Sequence, residues 1–241
     1  MKVTVNSDMG ESFGIHSFGN DDGLLEYIDA ANVACGFHSG DPVGIHATVV
    51  SAAEAGIAVG AHPGLPDLAG FGRRVMALEP NEVRDIVLYQ VGALSSFLKA
   101  VGVPLNHIKP HGSLYGMVAR DEALMQAVCD VAELYGVGVY GMSGTIHQQV
   151  ADSRGVPFTG ELYVDLGYRD DGSLIIQRRP HATPIEVAES RTRRALVDGE
   201  AETDTGGKIP MVFQSICVHS DTPNAVDVAK IVRRVVEEFT A

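Results

Sequence analysis

The sequence predicts an α/β protein organised as one seven-stranded, TIM-like β/α barrel, and three observations predict it. Short apolar or β-branched runs alternate with longer helical patterns along all 241 residues, the signature of a parallel sheet. Neither an internal repeat nor a linker interrupts the alternation, and the length suits one barrel domain spanning residues 1–241. Ionisable residues gather just after the strands, at the end where barrels and open α/β sheets build their sites. A doubly wound open sheet is the alternative architecture.

Seven strands are expected at residues 3–6, 30–34, 57–61, 107–109, 138–141, 157–161 and 212–217. Helical spacing fills residues 22–27, 42–55, 80–101, 121–135, 145–153, 184–198 and 223–239. Asp41-Pro42, Glu79-Pro80 and Thr183-Pro184 supply helix starts, because Pro suits the first turn and a side-chain oxygen before it can satisfy orphan backbone donors. Gly56 and Gly102 fall where helices close in a left-handed residue. Two stretches break the rhythm. Residues 163–179 carry the turn-rich Arg169-Asp170-Asp171-Gly172-Ser173 before Leu174-Ile175-Ile176, a hairpin excursion at the sheet mouth. The acidic, Gly-containing residues 199–208 read as a mobile surface loop.

Composition narrows the function. Asp plus Glu total 31 against 18 Lys plus Arg, a net charge of −13 that opposes nucleic acid and anionic membrane as partners. Every apolar run is cut well short of the roughly 20 residues a spanning helix needs. MKVTVNSDMGES reaches Asn6 and Asp8 before an apolar stretch of signal-peptide length forms, so a cytoplasmic protein is expected. Cys35, Cys129 and Cys217 lack any C-x-x-C spacing and are expected to be reduced and buried.

The strand ends carry the chemistry. Asn6-Ser7-Asp8-Met9-Gly10-Glu11 follows the first strand, Cys35-Gly36-Phe37-His38-Ser39-Gly40-Asp41 the second and Ala61-His62-Pro63-Gly64 the third. Lys109-Pro110-His111-Gly112 follows the fourth, Glu161 and Asp165 the sixth, and His219-Ser220-Asp221 the last. Asp8, Ser39 and Asp41 each have a simpler role as helix caps, and His46 and His147 sit within helical patterns. Four His residues at one end of one sheet, His38, His62, His111 and His219, exceed what packing requires. Lys109 and Arg73 beside them can hold a carboxylate or phosphate, and Gly70-Phe71-Gly72-Arg73-Arg74 is either a mobile arginine loop or a solvated basic turn.

Two chemistries stay open at that cluster: divalent-metal ligation, and metal-free acid–base catalysis of ring opening or acyl transfer. No H-E-x-x-H is present, and Pro110 between His107 and His111 rules against a helix-borne metal pair. Walker, dinucleotide and G-x-S-x-G signatures are also missing; Gly206-Gly207-Lys208 runs into Ile209-Pro210, and Gly141-Met142-Ser143-Gly144 is one residue short of the elbow.

These strings, with Ala31-Asn32-Val33-Ala34 before Cys35, Phe71-Gly72-Arg73, Tyr89-Gln90-Val91-Gly92-Ala93-Leu94 and Cys217-Val218-His219, resemble the LamB/YcsF family in order across nearly the whole chain. The resemblance implies a β/α barrel of the glycoside hydrolase/deacetylase type. It also implies one component of a bacterial 5-oxoprolinase that acts with subunits B and C, using ATP and water to open 5-oxo-L-proline to L-glutamate. Carried over by position, it implies catalytic roles for Asp8, His38, His62 and His111, with Asp8 or His38 as base. Substrate binding would fall to Glu11, Asp41, Arg73, Lys109, Glu161, Asp165, His219 and Asp221. ATP is the implied co-substrate, and a divalent metal is not assigned. The chain departs from the family pattern at Leu166, Gly116 and Ser220, where Arg, Asn and Gly are expected. Two alternatives remain: a stand-alone metal-dependent amide or carbohydrate deacetylase-type hydrolase, and a substrate-binding component without chemistry of its own.

Overall fold

The computed structural model of the chain describes residues 3–177 and 179–240. In order these form β1 (Thr4–Met9), α1 (Asp21–Leu24), β2 (Ala30–Ala34), α2 (Pro42–Glu54), β3 (Ala58–His62), a short 3₁₀ turn (Leu68–Gly70) and α3 (Pro80–Val101). Next come β4 (Leu105–Ile108), α4 (Gly112–Val118), α5 (Glu122–Tyr135), β5 (Gly138–Gly141), α6 (Ile146–Arg154) and β6 (Phe158–Tyr163). The chain finishes with β7 (Gly167–Tyr168), β8 (Leu174–Ile175), α7 (Ile185–Asp198), β9 (Glu200–Glu202), β10 (Lys208–Pro210), β11 (Ser215–His219) and α8 (Ala225–Thr240).

Seven of these strands close into a parallel barrel in the order β1-β11-β6-β5-β4-β3-β2, which rejects the open-sheet alternative. Closure requires β1 to pair with β11, joining Thr4 to Ser215 and Asp8 to His219. A parallel barrel wrapped by helices buries both strand faces, so strands read as apolar runs; all five residues of β2, Ala-Ala-Asn-Val-Ala, are buried. The outer helices supply the matching stripe. In α8, Val228, Ile231, Val232, Val235 and Val236 recur at helical spacing and are buried.

Local chemistry sets the helix ends. The Asp41 carboxylate accepts from the Val43 and Gly44 amides at 2.9 and 3.3 Å and starts α2, one of the cap roles expected of it. Gly102 closes α3 at φ 81, a left-handed conformation that glycine adopts without strain. Several element ends shift by one to three residues, β11 for example covering Ser215–His219 against an expected 212–217, and three differences go further or bear on the site. Strand β1 runs three residues further than expected, so Asp8 lies inside the strand and not in the loop after it. Residues 199–208 form no irregular loop: β9 and β10 pair antiparallel, their charged residues kept on the outside of a two-stranded ribbon. Helix α4 was not anticipated, its seven residues being too few for a clear 3.6-residue pattern. Strands β7 and β8 pair antiparallel beside the barrel mouth; Arg178, within the expected hairpin excursion, lies outside the described residues. All three cysteines are buried and unpaired, as expected. No helix among the described residues is long and apolar enough to cross a membrane.

Candidate active site at the barrel mouth

The register of the barrel decides what meets Asp8. It sits opposite Asn32 on β2 and His219 on β11, so three polar side chains meet at one level of the barrel wall. Asn32 donates to Asp8 Oδ1 at 2.9 Å and to Asn6 Oδ1 at 2.8 Å, and His107 Nε2 donates to Asn32 Oδ1 at 2.6 Å. This ladder below the mouth turns the Asn32 amide toward Asp8. Gly60 makes room for it, since a Cβ there would stand 2.2 Å from His107 Nε2.

Lys109 closes the same cluster. Its Nζ donates to Asp8 Oδ1 at 2.9 Å and to Cys217 Sγ at 3.0 Å, and lies 3.1 Å from Glu161 Oε1, while the side chain is only 2% exposed. Glu161 also accepts from Tyr163 at 2.8 Å. Burial opposes charge on Lys109, but the carboxylates of Asp8 and Glu161 keep its ammonium well above the ordinary lysine range. Burial likewise opposes ionisation of Asp8, yet His62, Lys109 and His219 hold its carboxyl well below the usual carboxylate range. The lysine expected to bind a substrate anion is thus already paired with two carboxylates.

On the far side of Asp8, His219 Nε2 lies 3.7 Å from Asp8 Oδ2. Its Nδ1 donates to Asp165 at 3.0 Å, and its backbone amide donates to Asp165 Oδ2 at 2.7 Å. Burial alone would discharge this imidazole, but Asp165 and Asp8 raise it to about 9, so it is protonated at neutral pH. Arg73 reaches the same rim, paired to Asp221 at 2.7 Å with its guanidinium over the Phe71 ring.

His62 bridges to a second cluster. Its Nδ1 donates to the Lys109 carbonyl at 2.8 Å, and its Nε2 lies 3.2 Å from Asp8 Oδ2 and 3.0 Å from His111 Nδ1. His111 Nε2 donates to the Phe71 carbonyl at 2.8 Å, and His38 stacks on His111 with centroids 3.7 Å apart. Glu11 Oε1 lies 3.3 Å from His38 Nε2 and 3.7 Å from His111 Nδ1. Burial drives His38 and His111 well below the ordinary histidine range and pushes Glu11 well above the usual carboxyl value, with Asp8 and Asp221 adding to the rise in Glu11. One donor atom from each of Glu11, His38, His62 and His111 falls within 4.8 Å of the others, a group able to hold a divalent metal. Gly72 permits the packing: at φ +62 its Cβ position is 2.8 Å from His38 Cβ and 2.9 Å from His111 Cδ2.

The structure thus brings eleven of the twelve expected site residues to one mouth. Asp41 stands apart, capping α2 and accepting from the Gly14 amide at 2.9 Å. Sequence reasoning gave no site role to Asn6, Asn32, His107 and Tyr163. The available signal was a polar side chain within a buried strand, as in Val5-Asn6-Ser7 and Ala31-Asn32-Val33. Leu166, Leu174 and Ile176 line the apolar side of the cleft, facing Asp8, His62 and His219.

The LamB/YcsF family model matches residues 3–241. A relative from Thermococcus onnurineus, named as the A subunit of 5-oxoprolinase, is 43% identical over 242 residues, covering 99% of this chain and 95% of that protein. A lactam utilization protein lamB from Emericella nidulans matches with the same identity and coverage. The crystal structure of a lactam utilization protein from Thermus thermophilus superposes with a TM-score of 0.89 at 40% identity, covering 99% of this chain and 97% of that one. The chain belongs to the LamB/YcsF family.

Proposed function

We propose that this chain is the A subunit of a 5-oxoprolinase, opening the lactam ring of 5-oxo-L-proline to L-glutamate with ATP as co-substrate and subunits B and C as partners. The observation that carries the reading is the pairing of an ionised, buried Asp8 with a protonated His219, 3.7 Å apart at one cleft. The names of its relatives, a 5-oxoprolinase component and a lactam utilization protein, supply the substrate class.

A lactam carbonyl is a weak electrophile, so ring opening needs activation, a base for water and an acid for nitrogen. Phosphoryl transfer from ATP to the amide oxygen activates the carbon. Water then attacks as Asp8 Oδ2 takes its proton, the C–N bond breaks, and His219 Nε2 delivers a proton to the departing nitrogen. A second water releases phosphate from the acyl phosphate. Asn32 and Lys109 fix Asp8 Oδ1, leaving Oδ2, beside His62 Nε2, as the edge toward water, and Asp165 engages the His219 Nδ1–H so that Nε2–H is the donating edge. Asp221 occupies part of the Arg73 fork, whose other donors suit the substrate carboxylate. Leu166 and Leu174 line the same cleft and offer the ring an apolar wall. Three buried, unpaired cysteines support a reducing, cytoplasmic setting.

The test is glutamate formation from 5-oxoproline and ATP, first with this chain alone and then with B and C from the same source. Activity in the mixture, reduced about 10²- to 10⁴-fold by Asp8→Asn, is expected. A folded chain that yields no glutamate in the mixture overturns the reading. A second reading, a stand-alone metal-dependent amide hydrolase, is favoured by the Glu11/His38/His62/His111 cluster and requires turnover without ATP or partners.

A further inference from the structure

We propose that Glu11, His62 and His111 form a binding site for one divalent transition-metal ion with zinc-like ligand preference. This names a cofactor for the mouth described above, and it rests on the 5-oxoprolinase reading only for the use the ion would be put to.

Hydrogen-bond bookkeeping at the two imidazoles carries the inference. His62 Nδ1–H donates to the Lys109 carbonyl and His111 Nε2–H donates to the Phe71 carbonyl, each at 2.8 Å. A carbonyl only accepts, so both outer nitrogens carry hydrogens, and the inner nitrogens are left with lone pairs unless His62 holds a second proton for Asp8 Oδ2, 3.2 Å from its Nε2. Those inner nitrogens, His62 Nε2 and His111 Nδ1, face one another across 3.0 Å with the rings at 88°. Positive charge belongs at that pair, as a second proton on His62 or as a metal ion, and Glu11 Oε1, 3.7 Å from His111 Nδ1, completes a donor set for the ion. Imidazoles whose outer N–H is fixed by a carbonyl are also the usual pattern for metal-ligating histidine.

The spacing suits an ion. Zinc-to-nitrogen and zinc-to-oxygen bonds of about 2.0–2.2 Å put tetrahedral ligand atoms roughly 3.3–3.5 Å apart. The inner histidine nitrogens are 3.0 Å apart, Glu11 Oε1 lies 3.7 Å from His111 Nδ1, and no pair in the group exceeds 4.8 Å. His38 belongs to the group by distance but not by orientation. Its ring is parallel to His111, 6° between planes and 3.7 Å between centroids, so an ion lying in the His111 plane misses the His38 plane. His38 Nε2 instead lies 3.3 Å from Glu11 Oε1 and positions that carboxyl. Two His and one Glu with a remaining open position is the ligand count of a catalytic rather than a structural site, and the nitrogen-rich set disfavours Mg²⁺ and Ca²⁺. Bound there, the ion would supply Lewis-acid polarisation beside Asp8, which lies 3.2 Å from His62 Nε2.

The experiment uses the intact chain alone, stripped with chelator and titrated with Zn²⁺ by calorimetry and with Co²⁺ by visible absorption. One equivalent of Zn²⁺ per chain is expected, with Co²⁺ d–d bands of a nitrogen/oxygen site and a rise in melting temperature. Glu11→Gln and His111→Ala abolish the bands, whereas His38→Ala weakens binding about 10- to 100-fold, as loss of an orienting group does. Circular dichroism identifies any variant that fails to fold, and the wild-type titration stands without the variants. Binding of less than a tenth of an equivalent by the wild-type chain, or bands unchanged in folded His111→Ala, overturns the site and leaves a shared proton between the imidazoles. A chain that binds no metal but makes glutamate with its partners refutes this site alone. One that binds metal and makes no glutamate refutes the function alone.

Discussion

On one side of His62, Asp8, Lys109 and His219 are ionised; on the other, Glu11, His38 and His111 are neutral, and all six are buried or nearly so. Burial is therefore not what separates the two halves of the mouth. The ionised half holds compensating partners at short range: Lys109 between Asp8 and Glu161, and His219 between Asp165 and Asp8. The neutral half offers ring faces, backbone carbonyls and one carboxyl, which must itself stay protonated when no cation is near. The lesson is that a buried group's protonation follows its partner rather than its depth. The two halves also differ in use: the first can exchange protons with a substrate at neutral pH, and the second is a ready set of donor atoms.

Removing the shared cation should break the contrast most severely. Lys109→Met leaves Asp8 and Glu161 buried without it, and stability should fall by about 3–5 kcal/mol in denaturant titration. A fall below about 1 kcal/mol would mean that the carboxylates are neutralised some other way. Next comes the imidazole that is charged against its burial. His219 is raised from the ordinary 6.5 to about 9, so its stabilisation is complete below about pH 6.5 and disappears as pH rises through about 9. Asp165→Asn should remove up to about 3 kcal/mol at pH 6 and little at pH 10. It should also move the alkaline limb of kcat/KM downward from about 9. An unshifted limb would take His219 out of the role of acid.

Much of this mouth was legible before the fold. Alternating runs gave the barrel, and the strand ends gave Asp8, the four histidines, Lys109 and Asp165, because those residues have few other reasons to follow apolar strands together. What the sequence withheld was pairing. Lys109 and Asp8 are 101 residues apart, and only barrel closure reveals that the cation is already neutralised. Asn32 and His107 were hidden for the same reason: within a four- or five-residue strand, a polar side chain has no partner until the neighbouring strand is known. Residues 199–208 misled through composition, since charged residues protect an exposed ribbon edge as readily as they fill a loop.

Gly72 tests the neutral half with a smaller perturbation. Its φ of +62 and the short approach of a Cβ to His38 and His111 predict that Gly72→Ala loses about 1–2 kcal/mol of stability and shifts both imidazoles. The ionised half has no atom within that approach, so the pH limb set by His219 should stay where it is, and movement of that limb would show that the halves are mechanically coupled.

The smallest effect should come from Asp41, and it sharpens the comparison by marking where the mouth ends. The family pattern puts this residue with the substrate-binding set, but its carboxylate accepts from the amides of Gly14, Val43 and Gly44. Those three bonds start α2 and tether the loop after β1, and they account for the residue without a ligand. Asp41→Ala should therefore lower the melting temperature slightly while kcat/KM stays within about two-fold, the behaviour of a cap lost away from the chemistry. Asp41→Asn and Asp41→Ser, which keep a capping oxygen, should restore the melting temperature. If KM for 5-oxoproline instead rises about ten-fold in the alanine variant and the capping replacements do not restore it, the carboxylate itself meets the substrate, and the site extends from β1 to the start of α2.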